Sequence, residues 1–237
     1  MAVNFMLLIS LFSTIMLSSV NGQMYDRLYG TLLALEHPPT IPMANESSTV
    51  NVTLGLSLLQ VMEVNMEEGF IDTFMWVDMR WTDRRFSWHM TSFGGISSIQ
   101  LPFDRLWVPD VAVSNSIETR KTMDVKAQVG YDGTILTVTP TRFRSTCTPP
   151  EEDDDDAEGD LVCHLKFISW MYNGFQVDLQ THSEQIDLSN YVLNRRWELM
   201  ETRIRRDVVY YSCCPEPFPH VDVTIRLRKK PANNSRK

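Results

Sequence analysis

The chain has 237 residues, 43% hydrophobic and 22% charged, enough apolar material for one globular domain with a sizeable core. A formal net charge of -8 and a pI near 5.1 argue against a nucleic-acid partner, which calls for a basic face, and permit the attraction of cationic ligands. Four cysteines, together with Asn-x-Ser/Thr sequons at Asn45, Asn51 and Asn233, suit a chain made in an oxidising secretory compartment.

Residues 1–22 carry an apolar run from Phe5 to Leu17 followed by Ser18-Ser-Val-Asn-Gly22, and read as a secretory signal peptide cleaved after Gly22. The run falls short of the roughly 20 residues that a spanning helix needs. No later stretch is long and apolar enough to span, so a secreted extracellular protein without a membrane anchor is expected. The folded domain then occupies residues 23–230, and 231–237 form a polar tail.

From Met24 to Glu36 the apolar residues Met24, Leu28, Leu32 and Leu35 recur at helical intervals, predicting a short amphipathic helix that His37-Pro-Pro39 stops. Beyond it the pattern has period two. Val50, Val52, Leu54, Leu56 and Leu58 alternate with polar or small residues, as a half-buried strand requires. The turn Glu67-Glu-Gly69 leads into the aromatic-rich stretch containing Phe74, Trp76 and Trp88. Asp132-Gly133 and Asn173-Gly174 are turn pairs, followed by strand patterns at Ile135–Thr139 and Phe175–Leu179. Val221 to Leu227 alternates again. Many short strands with regular turn signals predict an all-β, immunoglobulin-like sandwich preceded by one helix.

The only low-complexity run, Glu151-Glu-Asp-Asp-Asp-Asp156, lies between Cys147 and Cys163, and like charges so close together prefer solvent. A disulfide between those cysteines would tie the ends of a hydrophilic loop and be worth about 3 kcal/mol by chain entropy. Cys213 and Cys214 are adjacent in Asp207-Val-Val-Tyr-Tyr-Ser-Cys-Cys-Pro-Glu-Pro-Phe-Pro219. A bridge between neighbours spans only about 3.8 Å between Cα atoms, below the roughly 4.4 Å usual for disulfides. It restrains almost no unfolded chain, so a cap on a ligand-facing hairpin suits it better than a structural role. Of the three possible pairings, Cys147 with Cys163 and Cys213 with Cys214 is the expected one; the alternative is that Cys213 and Cys214 pair elsewhere or stay free.

An immunoglobulin variable domain would use Asp207, Tyr211 and Cys213 as its tyrosine corner, with Trp170 between Cys147 and Cys213. Against it, Trp170 falls too far after Cys147, Cys163 and Cys214 are left over, and the helix has no place. An enzyme finds little support either. Neither a Gly-x-Ser-x-Gly elbow nor a His-Glu-x-x-His pair occurs, and the five histidines are scattered, His164 beside Cys163 and His220 beside a proline-rich turn. A metal held by Cys213, Cys214 and His220 would need free thiolates in an oxidising compartment. The acidic run lacks the glycine and spacing of a calcium loop. No catalysis, cofactor or metal is expected.

The helix, Trp107-Val-Pro-Asp110, the Cys147 to Cys163 loop, Ser169-Trp-Met-Tyr-Asn-Gly174 and Tyr211-Ser-Cys-Cys214 occur in one order. In that order they resemble the extracellular ligand-binding domain of nicotinic acetylcholine receptors, most closely the soluble acetylcholine-binding proteins, over nearly the whole chain from Met24 to Lys230. The resemblance implies a twisted sandwich that assembles as a ring-shaped homopentamer and binds small cations such as acetylcholine and nicotine-like agonists, and also α-neurotoxins, between subunits. Aromatic rings suit such ligands, since their electron-rich faces attract a quaternary ammonium by about 2 kcal/mol when it is desolvated.

Carried over residue by residue, the resemblance assigns Ser114, Trp170, Tyr211, Cys213, Cys214 and Phe218 to a principal face, and Trp76, Gln128, Leu136 and Val138 to a complementary face. Trp81, Trp88 and Trp107 are expected in the core. Two departures concern the cage. Ser114 stands where the family has a tyrosine, and Phe218 stands where it has a second hairpin tyrosine, so weaker binding of acetylcholine is expected. A third departure is the acidic run, which replaces an apolar, proline-containing loop that rests on a channel's membrane part. Burying its charges there would be costly, and the chain ends near where a channel subunit would enter its first membrane helix, both favouring a soluble protein. The alternatives are the extracellular domain of a nicotinic-type channel subunit, and a homologue whose pocket is vestigial.

Overall fold

The computed structural model describes residues 22–35, 37, 39–45, 48–123, 125–148 and 160–231. Residues 1–21 of the expected signal peptide 1–22, the acidic run Glu151–Asp156, Glu46 and Ser47 of the first sequon, and Asn233 with the rest of the tail beyond residue 231 lie outside the described residues, whereas Gly22 is the first residue of a helix. Helix α1 covers residues 22–33. The strands are β1 (Val50–Asn65), β2 (Phe70–Thr82), β3 (Ser98–Leu101), β4 (Val111–Val113), β5 (Ser116–Lys121), β6 (Ala127–Gly130), β7 (Thr134–Thr148), β8 (Asp160–Ser169), β9 (Val177–Thr181), β10 (Trp197–Tyr210) and β11 (Pro217–Lys229). This is the predicted β-sandwich with one N-terminal helix, and its residues fall into two compact units.

The larger unit takes in the described residues of Met43–Trp81, Val108–Val125 and Leu136–Lys237. Its strands run in the order β10-β11-β8-β7-β2-β1-β9. β1 pairs antiparallel with β2 and parallel with β9, while β8 is flanked by β11 and, near its end, by β4. β7 meets β8 at Cys147↔Cys163 and Thr148↔Val162, and the expected Cys147–Cys163 disulfide closes there with a Cα separation of 4.0 Å.

The period-two pattern explains the core. Val52, Leu54, Leu56 and Leu58 of β1 are buried, as are Leu161, Cys163, Leu165 and Phe167 of β8 and Val221, Val223, Ile225 and Leu227 of β11. Full burial of each such aliphatic side chain stabilises by about 1.5–3 kcal/mol. Phe143 and Phe167 meet edge to face with centroids 5.7 Å apart, a favoured aromatic geometry.

Two buried carboxylates, Asp72 and Asp160, are each held by an Arg-x-Arg pair on the neighbouring strand. Asp160 accepts from Arg226 Nε and Arg228 Nε, both at 2.7 Å. Asp72 accepts from Arg142 Nε at 2.7 Å and from Arg144 Nη2 at 3.1 Å. The Arg228 hydrogen bond holds the Asp160 carboxyl below its ordinary range, with burial opposing and Arg226 adding to it. For Asp72, burial pushes upward, and the bonds and charges of Arg142 and Arg144 together outweigh it.

One strand starts later than the pattern suggests. The carbonyl of Asn173 accepts from the N–H groups of Gln176 and Val177, and its side-chain oxygen accepts from Phe175 N. That turn absorbs Phe175, so β9 begins at Val177 rather than Phe175.

The smaller unit takes in the described residues of Met1–Pro42, Thr82–Trp107 and Lys126–Ile135. α1 buries Leu28 and Leu32, as its spacing requires, but ends at residue 33, short of Glu36, where Leu35 N bonds to Leu32 O in a tighter turn. Asp132-Gly133 forms the expected hairpin turn. Gly133 has φ 82°, and a Cβ there would stand 2.6 Å from the Asp83 carbonyl oxygen, so glycine is required twice over. Asp83 is fully buried; it caps the 3-10 turn Arg84–Phe86 and pairs with Arg85 at 2.7 Å. Trp88 donates from its indole to Ile96 O at 2.8 Å.

Candidate functional site: an aromatic face beside a disulfide-tipped hairpin

β8 ends at Ser169, and the turn after it is fastened by Asp110, the last residue of Trp107-Val-Pro-Asp110. Ser169 Oγ and Met171 N each donate to the Asp110 carboxylate at 2.6 Å, and Tyr172 N donates to Ser169 Oγ at 3.3 Å. β4 follows immediately and pairs Val111 with Ser169. The clasp holds Trp170 outward, 66% exposed, whereas Trp81, Trp88, Trp107 and Trp197 are all buried. Core packing thus holds for Trp81, Trp88 and Trp107, as expected.

β10 and β11 form a long hairpin whose last pair is Tyr210↔Pro217. At its tip Cys214 N donates to Tyr211 O at 3.1 Å, and Cys213 and Cys214 are joined to each other. The expected pairing of neighbours is therefore the one formed. Tyr211 and Phe218 stack edge to face across the hairpin, centroids 5.3 Å apart. Gly174 ties the Trp170 turn to the hairpin base. Its N–H donates to Pro217 O at 2.7 Å, and a Cβ would stand 2.8 Å from Pro219 Cδ. Phe218 and Trp170 each lie two residues beyond the last β8–β11 pair, His220↔Ile168.

Ser114 is placed differently. Its N–H and Oγ both donate to Lys166 O, at 2.9 Å and 3.3 Å. Lys166 precedes Trp170 by four residues, about 13 Å of extended strand. A serine side chain at this position cannot span that length.

Among the residues assigned to a complementary face, Trp76 is 38% exposed on β2, between the buried Met75 and Val77. Leu136 is half-buried and Val138 exposed on β7, alternating with the buried Ile135, Thr137 and Thr139. β2 and β7 are neighbours in the sheet, so these three side chains share its outward face. Gln128 belongs to the smaller unit, exposed on β6, with Nε2 donating to Ser98 Oγ at 3.3 Å.

Trp170 and Tyr211 are exposed, and Phe218 is half-buried. Cation–π contacts join Arg27 to Phe93 and Arg144 to Phe70, at 5.5 Å and 4.6 Å, and neither involves Trp170, Tyr211 or Phe218. The aromatic face is also distinct from a polar cavity of about 790 Å³ lined by Ser57, Asp78, His182 and Asp187. There burial pushes the Asp78 carboxyl upward, with the charges of His182 and Arg80 opposing. Asn45 and Asn51 of the sequons are exposed. Among the described residues no His, Cys, Asp and Glu cluster is arranged to hold a metal.

Sequence reasoning named the aromatic residues but not what positions them. Asp110 and Gly174 act through partners distant along the chain; the available clue was their place inside the two motifs that also carry Trp107 and Trp170.

Exposed aromatic rings on braced turns define a ligand-binding module as the class. Residues 25–231 match the neurotransmitter-gated ion-channel ligand binding domain, and the chain belongs to that family. It is 32% identical over 217 residues to acetylcholine receptor subunit alpha-like 2 of Drosophila melanogaster, covering 86% of this chain and 37% of that one. Acetylcholine receptor subunit alpha-type acr-16 of Caenorhabditis elegans is 31% identical, covering 86% of this chain and 41% of its own. Neuronal acetylcholine receptor subunit alpha-10 of Rattus norvegicus is 28% identical, covering 89% and 47%. The chain thus spans less than half the length of these relatives. No described helix is long and apolar enough to cross a membrane.

Proposed function

We propose that the chain is a secreted, soluble binding protein for acetylcholine-like organic cations, working as a homopentamer without catalysis. The observation that carries the reading is the clasp on Trp170: Asp110 holds a 66% exposed indole beside a hairpin that stacks Tyr211 on Phe218 beneath its Cys213–Cys214 tip. Trp170, Tyr211 and Phe218 attract the ammonium group, and the disulfide tip packs over it. Trp76, Gln128, Leu136 and Val138 of a neighbouring subunit close the other side. Ser114 contributes no ring and Phe218 no hydroxyl, so the affinity for acetylcholine is lower than a five-aromatic cage would give. The relatives' names, acetylcholine receptor subunits, support the ligand class. The acidic run Glu151–Asp156 supports solubility, since burying it against a membrane part would be costly.

A second reading, the extracellular domain of a channel subunit, is favoured by the similarity to receptor subunits more than twice this chain's length. Size-exclusion chromatography with light scattering on the protein recovered from culture medium separates the readings. A soluble pentamer supports the first; a strict monomer removes the interfacial site.

A further inference from the structure

One outward face of the sandwich carries donors that make no hydrogen bond among the described residues, although the charge of Lys166 is felt by the Asp207 carboxylate. On β8, β11 and β10 the register sets two rows across the strands, His164–Thr224–Arg203 and Lys166–Asp222–Arg205. Adjacent strands lie about 4.8 Å apart and residues two apart on a strand about 6.7 Å, so the grid measures roughly 10 Å by 7 Å. Asn115 walls its β8 side, donating from Nδ2 to His164 O at 2.8 Å and accepting at Oδ1 from Lys166 N at 2.9 Å. These seven residues line a cavity of about 550 Å³.

The two rows differ in charge. In the second, Asp222 lies between Lys166 and Arg205; its carboxylate turns to His220 Nε2 at 3.1 Å, and Arg205 reaches Asp207 at 3.4 Å. In the first, no carboxylate lies between His164 and Arg203, and among the described residues the side chains of His164, Thr224, Arg203 and Lys166 make no hydrogen bond or ion pair. The nearest acid along β10, Glu201, is in the next row opposite Arg226. Elsewhere on these strands arginines are engaged by carboxylates: Arg206 by Asp178 at 2.6 Å, Arg226 and Arg228 by Asp160. A guanidinium fork, an ammonium, an imidazole and a hydroxyl converging in one hollow match the acceptor oxygens of a sulfate or phosphate group.

We propose that His164, Thr224, Arg203 and Lys166 form a site for an oxyanion of the sulfate or phosphate class, separate from the aromatic face and independent of what that face binds. Isothermal titration of the full secreted chain tests it, using sodium sulfate, sodium phosphate and a sulfated disaccharide, each against sodium chloride at equal ionic strength. Saturable binding is expected, weakened about 10-fold by Arg203→Gln and by Lys166→Gln, as loss of one charge-assisted hydrogen bond implies. Arg205→Gln, whose side chain already faces Asp207, weakens it far less. Tighter binding of the disaccharide than of free sulfate assigns the source to a glycan; equal binding assigns it to the free ion. Heat no different from that of chloride, or binding unchanged in both the Arg203 and Lys166 variants, overturns the proposal. Should either variant fail to fold, Thr224→Val removes only a hydroxyl donor and must still weaken binding.

Discussion

The two ends of β8 are built on opposite plans. At its start, Asp160 is buried and clamped by Arg226 and Arg228, so charge is neutralised within the chain. At its finish, Asp110 fastens Ser169 and the Met171 backbone, and the Trp170 between them is exposed. One end uses polar groups to seal the sandwich, and the other uses them to hold apolar surface out in water. The buried charge cluster and the proposed ligand contact thus lie about ten residues apart along one strand, and substitutions at the two ends should fail in different assays.

The largest effect on stability is expected at the sealed end. Asp160→Ala removes a shared carboxylate partner from Arg226 and Arg228 and should lower the urea midpoint, while the ligand affinity of the folded fraction stays unchanged. Loss of affinity without loss of stability would erase the contrast between the ends. At the open end, Gly174→Ala forces a methyl against Pro219 and should cost about 1–3 kcal/mol by overpacking, again in urea, together with a changed rate of ligand dissociation because the Trp170 turn and the hairpin share that contact.

Acid sharpens the same comparison. Asp72 and Asp160 have folded-state carboxyls held below their unfolded range. Their stabilisation is therefore complete above the ordinary carboxylate range, near pH 4, and is lost as pH falls through the folded values. Asp78 has the opposite sign: burial raises it, so ionisation in the folded state costs stability as pH climbs past the unfolded value. Thermal melts should then show Asp160→Asn flattening the acid limb, and Asp78→Asn raising the midpoint at pH 7 but not at pH 3. A midpoint for Asp78→Asn that falls at pH 7 would contradict the assignment. The smallest effect is expected from Ser114→Tyr, which restores a ring and should tighten acetylcholine binding about fivefold in equilibrium titration; unchanged or weaker binding would remove Ser114 from the account of the pocket.

The sequence carried the strands β1 and β11, the helix, both disulfides and the buried tryptophans, because each rests on local periodicity or on a short spacing. What it concealed depends on distant partners. The Asp110 clasp reaches Ser169 and Met171, 59 and 61 residues away, and the Gly174 N–H reaches the Pro217 carbonyl on the hairpin. The charged seal did leave a trace: Arg142-Phe-Arg144 and Arg226-Leu-Arg228 repeat one pattern, and each pair holds one buried aspartate, Asp72 or Asp160. Ser114 shows the limit of matching by motif, since the position that the resemblance assigns to ligand contact directs its hydroxyl to the Lys166 backbone.

The central claim is that the exposed indole beside the hairpin binds an organic cation. Its most direct test is equilibrium titration of the secreted protein and of Trp170→Ala with acetylcholine and nicotine, with folding of the variant checked by its urea midpoint. The expected result is saturable binding by the native chain, weakened about 30-fold or more in the variant, the loss of roughly 2 kcal/mol that a desolvated cation–π contact supplies. No saturable binding of either cation, or equal binding by a folded Trp170→Ala variant, would contradict it.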